Sequence, residues 1–349
     1  MMRATLAASL ALLCGARAVF HNGPRASLHA RSRQSDSRAA SRFSEGDLGA
    51  LENALACDVC AYSEEQREKS SSSEGYPRVD RAFSCPKVWL RLVSACPAHD
   101  WPPPKDIPAD MVDAFTMHGK ARTDLWYFEQ RYSGGDAAAS DWDARGLPAR
   151  IAAATPEGAI AGINSYTLKT PAYVDAVLAN HTDVINGGVG IVWGSERPWA
   201  EVLLARRGAK MTLTVEYGRT TSTHATVRAT TPQRFGAFML QHDRRFDFAF
   251  TYSSLEHSGL GRYGDALNPY GDLEAVAQTW CALKPGGLFF LGLPSGDAES
   301  SIDVVVWNAH RYYGPHRLSQ LFAGYEHVHS YRSGSEPQEA IIHVLRKPL

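Results

Sequence analysis

Four ionisable side chains fall within ten residues in the stretch Ser254-Leu255-Glu256-His257-Ser258-Gly259-Leu260-Gly261-Arg262-Tyr263-Gly264-Asp265. That density exceeds what a turn needs, and loops held by a rigid scaffold are where binding and catalytic groups concentrate. His257 is suited to take a proton from an acceptor group, with Glu256 or Asp265 orienting it. Gly261 and Gly264 flank the Arg262–Tyr263 pair and permit sharp turns. The competing reading is structural: Glu256 and His257 cap and brace the loop, while Arg262 and Asp265 pair internally.

A second candidate is Trp193-Gly194-Ser195-Glu196-Arg197-Pro198-Trp199, which reads as a strand-to-helix turn. Glu216 lies 22 residues past Gly194, at the end of the next apolar run. An acidic side chain there can accept both hydroxyls of a ribose. A single glycine stands where a dinucleotide site carries three, and those glycines let backbone approach a pyrophosphate. The turn therefore argues against NAD or FAD. It is compatible with a nucleoside cofactor lacking phosphate, such as S-adenosylmethionine, whose carboxylate can meet the helix amides. The alternative is an ordinary turn at Gly194 and an exposed strand end at Glu216. A third candidate, Trp307-Asn308-Ala309-His310-Arg311-Tyr312-Tyr313-Gly314, could fold back over the same edge as a lid or acceptor site, with Asn308, His310 and Arg311 facing substrate. An isolated His or Arg in such a segment is as readily structural. A metal held by Glu256, His257, Asp265 and His310 matches no recognised spacing, so no metal is assigned.

These segments need elements to place them. Phe246–Tyr252 is a run of aromatic and small apolar residues, suited to a strand buried on both faces of a parallel sheet. A helix over 272–283 follows the polar loop, with Asp272 as its N-cap and Lys284-Pro285-Gly286-Gly287 as its stop. A second buried strand over 288–293 completes a βαβ unit, whose long loop sits at the carboxyl end of its first strand, where open α/β sheets bind ligands. Upstream, strands over 190–193 and 211–217 flank a helix ending near Arg207. A further strand is expected over 226–230, a short helix over 235–241, a mixed segment over 303–315, a helix over 316–322, and a closing hairpin over 327–331 and 340–345. The architecture is α/β: one doubly wound, mostly parallel sheet with a C-terminal β-hairpin, preceded by a smaller, mainly helical N-terminal region.

The 349 residues are 44% apolar and 21% charged with a net charge of −1, which is globular and offers no electrostatic footprint for nucleic acid. Residues 1–18 read as a secretory signal peptide, with Arg3, an apolar core too short to span a bilayer, and an Ala16-Arg17-Ala18 cleavage site. Residues 19–44 have disordered composition and also suit a transit segment beginning near Phe20. The expected destination is the secretory pathway, in the Golgi or ER lumen or secreted, with a plastid reached by signal plus transit peptide as the alternative. No later stretch is apolar enough to cross a membrane. Residues 45–104 form a cysteine-containing region with helical patterns over 47–61 and 88–95, ending in a stiff Pro102-Pro103-Pro104 linker. A helical lead-in occupies 105–185, and the α/β domain 186–349. Cys57, Cys60, Cys85 and Cys96 suggest two disulfides among themselves, with free thiols and a zinc site as alternatives and Cys281 alone on the core helix.

The strings SSLEHSGLGRYGDALNPYGDLEA, LKPGGLFFLGLP and WNAHRYYG resemble a methyltransferase-like family known as domain of unknown function 268. Strand, Leu255-Glu256-His257 and a helix ending in Lys284-Pro285-Gly286-Gly287 also resemble the class I S-adenosylmethionine methyltransferases of the type 11 style. The resemblance covers about residues 186–345. It implies a Rossmann-like fold, S-adenosylmethionine as cofactor, and cofactor contacts at Gly194, Ser195, Glu196, Glu216, Ser254 and Leu255. His257, with Glu256 and Asp265, would serve catalysis. Arg262, Tyr263, Asn308, His310 and Arg311 would meet a small-molecule or sugar acceptor. Where class I members carry an acidic residue and two or three glycines, this chain has Trp193-Gly194-Ser195-Glu196. That departure favours a rival expectation, a non-catalytic relative that binds a glycan or protein through the Glu256–Asp265 loop. A glycan-processing enzyme using another nucleotide donor is disfavoured by the lack of a phosphate cradle.

Overall fold

The computed structural model describes residues 84–94, 102–130, 140–155, 158, 163, 167, 169–218, 220–242, 244–295, 302–333 and 340–349. The expected signal and transit-like segments, the helical pattern over 47–61, and Cys57, Cys60 and Cys96 lie outside the described residues. In chain order the elements are α1 (Cys85–Ser94), α2 (Val112–Phe115), β1 (Arg122–Leu125), β2 (Ser140–Asp141), α3 (Leu147–Ala153), α4 (Thr170–Ala179), α5 (Thr182–Ile185), β3 (Val189–Trp193) and α6 (Trp199–Arg206). There follow β4 (Met211–Val215), β5 (Thr220–Thr221), β6 (Val227–Thr230), α7 (Pro232–Gln241), β7 (Phe246–Tyr252), a 3₁₀ turn (Leu255–His257), α8 (Gly271–Ala282) and β8 (Leu283–Leu293). The chain closes with β9 (Val304–Trp307), β10 (His310–Tyr312), α9 (Pro315–Leu321), β11 (Glu326–Tyr331) and β12 (Ile341–Arg346).

β3 and β4 are buried along their whole length, as strands covered by helices on both faces must be. They belong to a sheet ordered β11-β12-β8-β7-β3-β4-β6. β6, β4, β3, β7 and β8 run parallel, and β12 is antiparallel to both β8 and β11. Counted in chain order within the sheet, this is 3-2-1-4-5-7-6 with the seventh strand reversed, the order of the class I methyltransferase fold. Helices α1, α7 and α8 cover one face, packing Trp89, Phe235 and Val276 against Ile191, Ala249 and Phe289. Helices α4 and α6 cover the other, packing Val174 and Leu203 against Val192, Phe248 and Phe290. The chain leaves β3 in one direction and returns at β7 to build the other, so a crevice opens at the carboxyl ends of β3 and β7.

Several expectations are corrected. The disulfide joins Cys85 to Cys281 across 196 residues, with Cα atoms 5.5 Å apart, so Cys281 is not alone and Cys85 does not pair within its own region. α1 is thereby fixed to α8, and its Val88, Trp89 and Leu92 are part of the domain's core rather than of a separate module. By the chain-entropy relation a loop of this length constrains the unfolded chain by about 5 kcal/mol. Helix α8 ends at Ala282, and Lys284-Pro285-Gly286-Gly287 opens β8 instead of closing the helix. Leu283 pairs with Phe246 and the register then slips so that Leu288 meets Phe248. Proline supplies no amide to a ladder. The bulge is held by β12's end instead, Gly286 donating to the Lys347 carbonyl and Lys347 to that of Gly287. The segment 303–315 becomes β9 and β10, which join β1 in a small separate sheet ordered β1-β9-β10.

Candidate active site

The first turn follows from backbone conformation. Gly194 leaves β3 at φ +69°, and a Cβ there would lie 2.6 Å from Ser254 Oγ and 2.7 Å from Ser254 Cβ. The position needs glycine for both reasons. The two strand ends are tied together: Ser254 Oγ donates to the Gly194 carbonyl at 3.1 Å and Thr251 Oγ1 to that of Trp193 at 3.1 Å. Glu216, one residue past β4, accepts the Ser195 amide at 2.7 Å through Oε2 and the Gly218 amide at 3.2 Å through Oε1. Burial raises its pKa against these amide bonds. A carboxylate offers about four lone-pair sites, and with the Tyr217 amide also drawing on it acceptor capacity still remains for a hydroxyl.

His257 closes the opposite wall. Its Nδ1–H donates to the Ala309 carbonyl at 2.6 Å, so in the neutral ring the lone pair sits on Nε2. Burial lowers the imidazole pKa to about 3, partly offset by that bond and reinforced by Arg262, His310 and Arg311. Glu256 Oε1 lies 3.7 Å from Nε2. Glu256 is 1% exposed, its Oε2 has no hydrogen-bond partner among the described residues, and burial lifts its pKa to about 7.

Between these walls lies a cavity of about 470 Å³, the size of a small-molecule site. Gly194, Ser195, Glu196, Glu216, Ser254 and Leu255 all line it, with His257, Tyr263 and Asp265. The donor set fits a phosphate-free nucleoside cofactor: one glycine turn, a carboxylate with spare acceptor capacity one strand over, and no further glycine cradle. Trp193 Nε1–H is buried in the same wall without a partner among the described residues.

Residues 187–347 match the family described as "Caenorhabditis protein of unknown function, DUF268". No curated protein matches the chain. Among solved structures, the 1,6-didemethyltoxoflavin-N1-methyltransferase of Burkholderia thailandensis is 16% identical, with 59% of this chain and 83% of that one covered, at a TM-score of 0.36. The magnesium protoporphyrin IX methyltransferase of Synechocystis PCC 6803 is 9% identical over 51% of this chain and 78% of that one, at 0.36. The N-methyltransferase NodS of Bradyrhizobium japonicum WM9 is 13% identical over 50% and 97%, at 0.32. The fold follows from the strand order of the seven-stranded sheet.

Of the remaining candidates Arg262, Asn308, His310 and Arg311 do not line the cavity, whereas Asp265 does. Asp265 faces the cavity, but its carboxylate accepts the amides of Gly259 (2.7 Å), Tyr263 (3.3 Å) and Gly261 (3.4 Å), so it shapes the loop. Arg262 does not pair with it: Nε donates to Gln130 Oε1 at 2.7 Å and Nη1 to the Ala309 carbonyl at 3.3 Å, with the guanidinium over the Phe128 ring. Asn308, fully buried at φ +63°, accepts the Phe128 amide. Arg311 is 2% exposed and donates to the carbonyls of Glu256, Ser258, Asn268 and Pro269. His310 stands edge-on to His257 at 6.1 Å. Asp272 is no N-cap, since α8 starts one residue earlier and its carboxylate turns inward to Arg317 and the Tyr313 hydroxyl.

Glu201 escapes a reading of spacing because it looks like an ordinary first-turn acid of α6. It is fully buried beneath the first turn, accepting from Thr214 Oγ1 at 2.6 Å through Oε1. Its Oε2 lies 3.1 Å from Ser195 Oγ, whose single proton goes to the Arg197 carbonyl at 2.8 Å. A protonated Glu201 completes this set by donating to Ser195. Accordingly burial, against the Thr214 and Ser195 bonds, raises its pKa from 4.5 to about 7. The folded state thus holds a proton that the unfolded chain releases between those values, and stability falls as pH rises from 4.5 to 7. At 1.36 kcal/mol per unit the fall is about 3 kcal/mol. Glu201→Gln is expected to remove it, so the difference in unfolding free energy between wild type and variant should change by that amount across the window. A difference independent of pH would show that Glu201 is ionised throughout.

Proposed function

We propose that this chain transfers the methyl group of S-adenosylmethionine to a nucleophilic acceptor, a small molecule or a sugar. The observation carrying the reading is the cavity at the carboxyl ends of β3, β4 and β7, walled by Gly194, Glu216 and His257. When bound, the cofactor supplies a sulfonium-activated methyl group and leaves as S-adenosylhomocysteine. Gly194 and Ser195 present backbone to it, and Glu216 takes a ribose hydroxyl. The acceptor's lone pair forms the new bond to carbon as the carbon–sulfur bond breaks, and the acceptor's proton passes to His257 Nε2. Most of the acceleration comes from holding acceptor and methyl in line. The Cys85–Cys281 bond fits an oxidising compartment. With the signal-like 1–18 segment it supports a secretory or plastid location. Among the described residues no helix is long and apolar enough to cross a membrane.

The test is calorimetric titration of the protein with S-adenosylmethionine and S-adenosylhomocysteine. Gly194→Ala forces a side chain into the left-handed region and into Ser254, and is expected to weaken both by more than tenfold with the fold retained. Unchanged affinity would remove the first turn from the site. No binding by folded wild type would favour the non-catalytic reading, which the single-glycine turn supports.

A further inference from the structure

A second cavity of about 270 Å³ is lined by Trp142, Arg145, Arg150, Glu196, Arg197 and Pro198. Arg145 and Glu196 line the main cavity too, so the two adjoin. Three guanidinium groups against one carboxylate leave a formal charge of +2 (three minus one). Among the described residues no carboxylate pairs with Arg145, Arg150 or Arg197. Arg150 Nη2 reaches the Arg145 carbonyl at 3.5 Å. Trp142 is 1% exposed and packed against Leu147, Val202 and Val227, and among the described residues its Nε1–H has no acceptor. The three arginines and Glu196 are exposed, so solvent screens their charges; the costly group is the buried indole donor without a partner. That cost is relieved by a ligand that accepts from the indole, and an anion in the same place would also attract the three arginines. The backbone holds the set in place: Trp142 donates its amide to the Thr221 carbonyl, and Arg145 donates its own to that of Asp141.

We propose that this cavity binds a phosphate monoester carried by the methyl acceptor. The assignment rests on the methyl-transfer reading for the word acceptor, and on the cavity alone for the phosphate. A phosphomonoester carries between −1.5 and −2 at neutral pH, roughly the charge that the lining leaves uncompensated. Its three oxygens suit the fork geometry of several arginines better than the two of a carboxylate. Docked there, the phosphate would lie beside the main cavity, which shares Arg145 and Glu196 with this one. The acceptor class is therefore a phosphorylated small molecule or sugar.

The experiment titrates full-length protein calorimetrically with inorganic phosphate, acetate, S-adenosylhomocysteine and 5′-methylthioadenosine. It compares wild type with Arg150→Gln/Arg197→Gln and with Trp142→Phe. Neither arginine lines the main cavity. The expected result is saturable phosphate binding, at least tenfold weaker in the double variant and several-fold weaker in Trp142→Phe. Acetate should bind at least tenfold more weakly than phosphate, and S-adenosylhomocysteine should stay within twofold. Phosphate affinity unchanged in both variants would overturn the proposal, as would acetate matching phosphate. So would a double variant that loses S-adenosylhomocysteine tenfold while keeping 5′-methylthioadenosine, since the arginines would then serve the cofactor's carboxylate. If S-adenosylhomocysteine fails to bind while phosphate binding depends on the arginines, the anion site stands and methyl transfer alone falls. Should the double variant not fold, Trp142→Phe decides, because it keeps the ring and removes one donor.

Discussion

Alanine at Asp272 is expected to cost 3–5 kcal/mol of stability and to loosen the loop that carries His257. Asp272 is fully buried. Its Oδ2 accepts from Arg317 Nε at 3.0 Å and the Tyr313 hydroxyl at 3.0 Å, and Oδ1 pairs with Arg317 Nη2. Arg311 Nε lies 3.9 Å away and has no other partner. Burial by itself would raise the carboxyl's pKa, but the two guanidinium charges win and hold it below 3.8. Its contribution is therefore present above pH 3.8 and lost as pH falls through the lower folded value. Removing the carboxylate leaves two buried cations unpaired, which is why the loss falls in the range found for broken buried ion pairs. Replacing Asp272, Arg311 and Arg317 together by apolar residues would often restore stability elsewhere. Here it should not, because Arg311 also satisfies carbonyls at both ends of the 256–269 loop. Urea unfolding of Asp272→Ala and of the triple variant checks both statements. A loss under 1 kcal/mol in the single variant would mean that water reaches the cluster.

The strand pattern was readable because burial on both faces leaves an unmistakable record. Phe246–Tyr252 and Met211–Val215 admit little polar character, and the last strand, Ile341–Arg346, is likewise buried along nearly its whole length. What failed were cues that two structures share. Lys-Pro-Gly-Gly is what ends a helix, yet a proline and a glycine at positive φ equally make a bulge at a strand's start. The choice was settled by Lys347, which supplies the missing ladder bonds from 60 residues away. Cysteine spacing misled for a similar reason. Proximity in sequence favours Cys57, Cys60 and Cys96 as partners for Cys85, whereas the folded chain lays α1 across α8 and brings Cys281 within reach.

The site divides along a comparable line. Residues adjacent to strand ends, namely Gly194, Glu216, Ser254 and His257, were legible because an open α/β sheet dictates which edge binds ligands. Arg262, Asn308 and Arg311 have the chemistry of substrate contacts, and only their partners reveal them as struts. Arg311 spends its donors on loop carbonyls, and Asn308 receives a backbone amide. Glu201 is the reverse case, an unremarkable helix acid until burial places it under Ser195. The arginines beside Trp142 come from segments 47 residues or more from Arg197, and no local pattern announces that they meet.

Methyl transfer is expected to fall 10²- to 10⁴-fold in His257→Ala, the usual worth of a positioned base, and its pH profile is expected to belong to Glu256. The anchored Nδ1–H leaves His257 Nε2 as the acceptor, and burial keeps the ring neutral down to about pH 3. The profile should therefore show no limb that belongs to the imidazole. As His257 takes the acceptor's proton it becomes an imidazolium 3.7 Å from Glu256 Oε1. That cation is stabilised only when Glu256 is ionised. Because burial places the Glu256 pKa near 7, the rate should rise through pH 7 and level above it. Glu256→Gln keeps the side chain's volume and removes the charge, so it should flatten the rise and leave the rate near the wild type's low-pH plateau. Cofactor affinity should stay within about threefold in both variants, which separates a proton-handling role from damage to the binding wall. A rise that persists in Glu256→Gln but disappears in His257→Ala would return the titration to the imidazole, and with it the view that burial governs this pair.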